Sequence, residues 1–120
     1  MVIRIASVVV SLAGVFALIT GVLFWTGHAL NLISMHMLLG FVTVAGLWVA
    51  AVGQAFARGG SWVLALVALV IGAATLYVGL YQTTLKIGDF RWLIQVLHLV
   101  LGILTIGLSH MAAARYRRGL

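Results

Sequence analysis

Two histidines occupy the same local pattern of apolar residues, and a pair of imidazoles can bind one metal ion. The stretch that begins at His36 reads H-M-L-L-G-F-V-T-V, and the stretch that begins at His98 reads H-L-V-L-G-I-L-T-I. In both, glycine follows four residues after the histidine and threonine follows seven residues after it. Histidine is rare in this chain, whereas leucine and glycine are common. The agreement in frame therefore singles out these two histidines as candidate metal ligands.

The composition of the chain indicates that its surroundings are lipid. Of 120 residues, 65% are hydrophobic and 7% are charged, and the mean hydropathy is +1.29. A soluble domain of this length needs a larger share of polar residues to cover its surface. The chain also lacks cysteine, which excludes disulfides and thiolate metal sites. We therefore predict an integral membrane protein.

Four apolar stretches are long enough to cross a bilayer. A spanning helix needs about 20 apolar residues, because each residue rises about 1.5 Å and the hydrocarbon core is about 30 Å thick. The stretches are residues 5–25, 32–56, 62–82 and 90–114. Continuous apolar runs of this length favour helices over the strands of a membrane barrel. With short connections between them, they predict an all-α membrane protein, a four-transmembrane-helix antiparallel up-down bundle in one domain over residues 1–120.

Polar residues mark the predicted helix boundaries. Asn31, Ser61 and Asp89 are the expected N-caps of helices two, three and four. The first apolar stretch is longer than the about 7–15 residues of a signal-peptide core, so we expect it to be retained as a helix.

The basic residues predict the orientation. Five arginines fall on one side of the bundle and two basic residues fall on the other. By the positive-inside rule, both termini are cytoplasmic, and we expect a bacterial inner-membrane protein. Topology and attraction to anionic lipid explain the net charge of +6, so nucleic acid is not an expected partner. The five arginines are Arg4, Arg58, Arg115, Arg117 and Arg118, and the other two basic residues are Lys86 and Arg91.

An internal repeat relates the two halves of the chain. Residues 14–21 read G-V-F-A-L-I-T-G and residues 72–79 read G-A-A-T-L-Y-V-G, so helices one and three share a glycine, leucine, glycine frame. Together with the histidine frames, this predicts two similar helical hairpins, residues 1–57 and 58–120. Because each hairpin crosses the membrane twice, a pseudo-two-fold axis along the membrane normal would relate them.

The predicted bundle places the two histidines at similar depth on facing helices. His36 lies about four residues into helix two and His98 about eight residues into helix four, both counted from the outer side. Their depths agree to within roughly 6 Å at about 1.5 Å per residue. Imidazoles from two facing helices can supply both axial ligands of a haem iron. We therefore expect a haem between helices two and four.

The residues that accompany the histidines suit a flat cofactor. Gly40 and Gly102 lie near the face of their histidine and leave a groove for a porphyrin edge. Thr43 and Thr105 continue this face one turn deeper, with hydroxyls that can bond to their own helix. Arg91 lies two turns before the histidine of helix four, where a guanidinium could meet haem propionates.

A four-helix membrane bundle with histidines on facing helices, each accompanied by glycine, resembles the small integral-membrane b-type cytochromes. The resemblance implies non-covalent haem b, bis-histidine ligation by His36 and His98, and one-electron transfer, often with quinol or a similar small donor or with a redox partner protein. Many members hold a second haem through a further histidine on the same helix face. Here His110 follows His98 by 12 residues, a rotation of about 120°, and Trp48 occupies the matching position of helix two. We therefore expect one haem per chain.

Other functions remain open to different degrees. A structural or assembly subunit of a larger membrane complex would use the histidines only as packing groups. A proton-coupled transporter would need a carboxylate inside the membrane, and the only acidic residue, Asp89, lies in a connection. A copper or zinc site could use His28 with the paired histidines, but it lacks cysteine and a nearby acidic ligand. The sequence contains no nucleophile, base and acid in a pattern typical of hydrolases, so we predict no catalytic residue. A small haem oxidoreductase remains a possible function. Pairing of two chains through their glycine-bearing faces also remains open.

Overall fold

The described part of the chain is almost entirely helical. The computed structural model describes residues 2–28, 30–81 and 91–118, without the side chains of Leu30 and Arg91. In these ranges the chain forms four long α-helices and no strand. Each of these helices is long and apolar enough to cross a membrane. The predicted all-α membrane fold is confirmed.

The helices follow the apolar stretches of the sequence. Helix α1 spans Val2–Trp25, α2 spans Ile33–Ala55, α3 spans Trp62–Tyr81 and α4 spans Arg91–Arg118, with a 3-10 turn over Leu30–Leu32 before α2. The largest difference from the predicted bounds is at the end of α4, which continues four residues further than expected. Three arginines occupy its last turn, where positive charge is favourable beside the helix C-terminal carbonyls.

Helices α2 and α4 form the centre of the bundle. Each helix packs against the next one in the chain, and α4 packs back against α1. In addition α2 contacts α4 directly, whereas no Cα atom of α1 comes within 8 Å of α3 among the described residues. The bundle is elongated, with extents of 48 × 24 × 15 Å. The two helices that carry the candidate ligands therefore face each other, with α1 and α3 on opposite sides of them.

Small residues fill the interior and large apolar residues cover the outside. Without a hydrophobic force between helices in lipid, close approach through small side chains is what packs them. The buried cluster near the end of α4 is dominated by Ala50, Ala51, Ala68, Ala112 and Ala113. The exposed side chains include Leu12, Phe16, Leu66, Val70 and Met111. This outer surface suits contact with membrane lipid.

A buried glutamine fixes the connection between α2 and α3. The Gln54 side chain is fully buried, and its Nε2 donates to the carbonyl oxygens of Ala51 at 2.9 Å and Ser61 at 2.7 Å. Its Oε1 accepts a hydrogen bond from the Ser61 backbone N–H at 3.0 Å. One side chain thus joins the end of α2 to the residue before α3, and it satisfies the Ser61 N–H, which lies outside both helices.

The predicted helix caps have different outcomes. Ser61 is confirmed, because its hydroxyl accepts a hydrogen bond from the backbone N–H of Leu64 at 3.1 Å. Asn31 is wrong, because the 3-10 turn includes it and Leu32 becomes the N-cap of α2, without a side-chain hydrogen bond. Asp89 lies outside the described residues.

Helix packing follows the internal repeat. A Cβ atom added to Gly14 of α1 would lie 2.7 Å from Ile106 Cδ1 of α4, and one added to Gly72 of α3 would lie 3.0 Å from Val44 Cγ1 of α2. The two glycines are 58 residues apart, and Val44 and Ile106 are 62 residues apart, the offset that also separates the two candidate ligands. Equivalent glycines therefore contact equivalent neighbours. The boundary between the repeats at residues 57 and 58 stays a prediction.

Substitution of Gly72 by alanine should destabilise the bundle. The added Cβ would lie 2.5 Å from Trp48 Nε1, and moving this ring would break its hydrogen bond to the Ala68 carbonyl oxygen, now 3.3 Å long. Overpacking of this kind costs about 1–3 kcal/mol, measurable by thermal unfolding in detergent. Gly107→Ala is the control, since a Cβ there meets no described atom within 4 Å. Equal stability of the two variants would contradict this packing.

Candidate functional site

The two candidate ligands lie opposite each other in the bundle. His36 on α2 and His98 on α4 have ring centroids 6.3 Å apart and ring planes inclined by 65°. Their helices are the central pair, so neither imidazole has to cross another helix to reach its counterpart. The structure therefore brings together the two histidines that the sequence pattern singles out.

Glycines of the neighbouring helices determine where the two rings lie. A Cβ added to Gly21 of α1 would be 3.4 Å from His36 Cε1, and one added to Gly79 of α3 would be 2.7 Å from His98 Cε1. These glycine–histidine pairs are equivalent in the internal repeat. Each imidazole thus packs beside the backbone of the adjacent helix, and at Gly79 the ring occupies space that any larger residue would need.

A cavity of about 470 Å³ surrounds the paired histidines, with residues of all four helices in its wall. This volume lies within the range of about 300–1,000 Å³ that small-molecule sites occupy. Gly40 and Gly102 form part of the wall. A Cβ added to Gly40 meets no described atom within 4 Å, and one added to Gly102 meets only Leu18 Cδ2, at 4.0 Å. These two glycines therefore face open space, as a groove beside the histidines requires.

The threonines of the repeated frame lie deeper in the same wall. The Thr43 hydroxyl donates to the Leu39 carbonyl oxygen at 2.7 Å, and the Thr105 hydroxyl donates to the Leu101 carbonyl oxygen at 2.8 Å. Thr105 Oγ1 also lies 3.2 Å from Thr75 Oγ1 of α3. Because these hydroxyls are bonded within the protein, they do not require a ligand.

A threonine that the repeat analysis did not select holds one of the histidines. Thr20 Oγ1 of α1 lies 2.8 Å from His36 Nδ1, and it also lies 3.0 Å and 2.9 Å from the carbonyl oxygens of Phe16 and Ala17. When the hydroxyl proton is donated to either carbonyl, the oxygen is left to accept a proton from His36 Nδ1. The lone pair of His36 is then on Nε2, the nitrogen free for a metal. The sequence signal was a polar residue next to Gly21 in an otherwise apolar helix.

The second histidine lacks such a partner. His98 Nδ1 is buried and has no hydrogen-bond partner among the described residues. Val78 of α3 occupies the position 58 residues after Thr20 of α1. Beside His98, α3 therefore has a methyl group at the position where α1 has a hydroxyl beside His36. A buried polar atom without a partner costs about 1–3 kcal/mol and calls for an explanation.

Other polar residues of interest lie outside the cavity. His110 Nε2 on α4 is 3.1 Å from Ser11 Oγ of α1, and His28 Nδ1 is 3.0 Å from Thr26 Oγ1 after α1. The side chain of Arg91, the predicted propionate partner, lies outside the described residues. Within the described ranges no three His, Cys, Asp or Glu side chains come close enough to hold a metal ion. His28 therefore does not complete a copper or zinc site with the paired histidines.

The arrangement can bind a metal ion from two opposite sides, with the remaining coordination positions filled by whatever occupies the cavity. In comparisons with protein-family models, curated proteins and solved structures, this chain has no significant match. The function has to be inferred from the chemistry of the paired histidines and their cavity.

Substitution of Gly79 by alanine should displace the His98 ring. The new methyl group would lie 2.7 Å from His98 Cε1 and 3.3 Å from its Nε2, so the imidazole has to rotate or α3 has to move. We expect altered His98 signals in NMR spectra of histidine-labelled protein and unaltered His98 signals for Gly40→Ala, which adds its methyl group to open space. Unchanged His98 signals in Gly79→Ala would contradict the contact.

Proposed function

We propose that this chain is an integral-membrane b-type cytochrome that holds one haem b between His36 and His98. The observation that carries the proposal is the 6.3 Å separation of the two ring centroids. Two imidazoles that bind one metal ion from opposite sides, through nitrogens about 2 Å from it, place their centroids about 6 Å apart. The spacing of the two rings therefore fits a shared iron.

The cavity supports the same assignment. Because α1 and α3 lie on opposite sides of the histidine pair and both contribute to its wall, the cavity reaches both sides of the proposed ligands. Apolar residues such as Leu18, Leu76 and Leu99 make up most of the wall, and Gly40 and Gly102 leave it open near the ligands. These properties suit the apolar surface of a porphyrin.

The protein groups around the histidines support ligation by Nε2 of His36. Its Nδ1 lies 2.8 Å from Thr20 Oγ1, and ligating histidines commonly donate their second ring N–H to such an acceptor. A cofactor-free structural subunit, the competing interpretation, gives no reason for a cavity beside the paired histidines. The haem assignment is favoured on this ground.

The proposed activity is one-electron transfer. Haem supplies an iron that changes oxidation state by one electron. His36 and His98 would occupy both axial positions, which favours electron transfer over binding of a small ligand at the metal. The electron donor would be a quinol or a redox protein of the same membrane, and Arg91 remains the proposed partner of the propionates.

The proposed orientation places both termini in the cytoplasm of a bacterium, with the histidines in the outer half of the inner membrane. Arg58, Arg115 and Arg118 lie together at the end of the bundle opposite the histidines, a distribution that supports this orientation by the positive-inside rule.

Absorption spectra of the purified protein test the proposal. We expect a sharp Soret band and resolved visible bands after reduction with dithionite, as for a low-spin haem with two imidazole ligands. His36→Ala and His98→Ala should each lose the low-spin spectrum, because one axial ligand is then missing. His110→Ala is the matched control on α4 and should keep it. A haem-free protein from haem-replete cells, or low-spin haem that survives both substitutions, would contradict the proposal.

A further inference from the structure

The internal repeat is broken at one position beside the histidines, and this break makes the two imidazoles unequal. Thr20 of α1 and Val78 of α3 are equivalent by the 58-residue offset, and both side chains are buried. Thr20 Oγ1 lies 2.8 Å from His36 Nδ1, whereas His98 Nδ1 has no hydrogen-bond partner among the described residues. Thr20 therefore offers His36 Nδ1 a hydroxyl that no described side chain offers to His98 Nδ1.

We propose that Thr20 is a positioning residue that makes His36 the stronger of the two haem ligands, and that Val78 leaves His98 the weaker one. This inference rests on the proposed haem function and adds an order between the ligands. It names a residue that acts on the metal through a histidine, without touching the metal itself.

The direction of the effect follows from the chemistry of imidazole. A hydrogen bond from Nδ1–H to an acceptor fixes the tautomer and makes Nε2 a more basic ligand. A more basic ligand stabilises the oxidised, more positive iron over the reduced form. Thr20 should therefore lower the reduction potential of the haem. Because Val78 gives His98 no such acceptor, the potential should be higher than in a protein with a hydroxyl beside both histidines.

The surroundings make this hydrogen bond durable. Thr20 lies in the last third of α1, inside the apolar part of the bundle, and its side chain is 7% exposed. In a water-poor interior an unpartnered polar group is costly, so the Thr20–His36 bond has little competition from solvent. The same reasoning applies to Val78, which is 8% exposed: water has little access to replace the missing acceptor.

Exchange of the two side chains tests the proposal. In potentiometric titrations of haem-loaded protein, we expect Thr20→Val to raise the reduction potential and Val78→Thr to lower it. The double variant Thr20→Val/Val78→Thr moves the acceptor from one ligand to the other, and its potential should return towards that of the wild type. Thr20→Ser keeps the hydroxyl and should leave the potential unchanged.

A second readout follows the hydrogen bond directly. In NMR spectra of the reduced, ¹⁵N-histidine-labelled full chain, the Nδ1–H resonance of His36 should shift in Thr20→Val, because its acceptor is lost, and should stay in place in Thr20→Ser. Haem with the same potential in all variants, or a His36 Nδ1–H resonance that Thr20→Val leaves unchanged, would overturn the ligand order alone. Absence of haem from the wild type would overturn the proposed function and the ligand order together.

A separate group of charged side chains lies at the other end of the bundle. Arg58 after α2 and Arg115 and Arg118 of α4 line a pocket of about 370 Å³ together with Gly59. Arg115 Nε donates to the Gly59 carbonyl oxygen at 3.1 Å, which ties the α2–α3 connection to α4. Gly59 has a φ of 75°, a left-handed conformation that glycine adopts without strain.

No carboxylate side chain of the described residues neutralises these arginines. The chain contains seven lysines and arginines and one acidic residue, Asp89, and the described residues therefore contain no carboxylate side chain. Arginine binds phosphate through two parallel N–H donors, and basic pockets at the membrane surface bind anionic headgroups. We infer that this pocket binds the phosphate of an anionic lipid headgroup. This inference is independent of haem.

Thermal unfolding of the full chain in lipid nanodiscs tests the pocket. Phosphatidylglycerol added to a zwitterionic lipid should raise the unfolding temperature of the wild type, and inorganic phosphate at equal concentration should not. Arg58→Gln/Arg115→Gln/Arg118→Gln should lose this increase, whereas the control Arg4→Gln/Arg117→Gln should keep it. If the triple variant does not fold, the single variant Arg58→Gln should lose part of the increase in unfolding temperature.

Two results would overturn the lipid inference. An equal increase from inorganic phosphate would assign the pocket to free anions. In the second, the triple variant, or Arg58→Gln in its place, keeps the full increase in unfolding temperature that phosphatidylglycerol causes. That result would assign the lipid effect to other basic residues.

Discussion

Two imidazoles inside a bundle that lies in lipid must find their polar partners within the protein or in a bound group, because the bilayer core offers none. Each ring packs on a glycine of the adjacent helix, Gly21 for His36 and Gly79 for His98, and this lets α1 and α3 approach the central pair closely. Thr20 satisfies one Nδ1 atom, but no described residue satisfies the other. The proposed haem would fill the cavity beside the rings and bind an imidazole nitrogen of each histidine, while His98 Nδ1 would keep no hydroxyl partner.

The internal repeat places a pair of histidines towards one end of the bundle but not towards the other. Towards the outer end, the repeat places two histidines opposite each other. Nearer the opposite end, the equivalent positions hold Trp48 and His110, and each side chain contacts the neighbouring outer helix, Trp48 through the Ala68 carbonyl oxygen and His110 through Ser11. Neither is directed at the other as a ligand. The packing is repeated while the chemistry of the two positions differs, and one haem per chain stays a prediction.

The sequence predicts the helices and the histidine pair because both depend on regular spacing along one chain. Long apolar runs define the spans, and the repeated frame identifies the two ligands. The role of Thr20 could not be predicted, since it depends on how α1 is rotated against α2. The repeat also predicts Gly21 and Gly79 at the depth of the histidines, but the ring atoms that they contact depend on the same rotation. Asn31 failed as a cap because a 3-10 turn includes it.

Electron paramagnetic resonance of the oxidised protein tests the central claim most directly, since it reports the spin state and axial ligands of the iron itself. The account predicts a low-spin ferric signal typical of two imidazole ligands, with one haem per chain. A high-spin ferric signal, or no haem signal from protein made in haem-replete cells, would contradict ligation by His36 and His98.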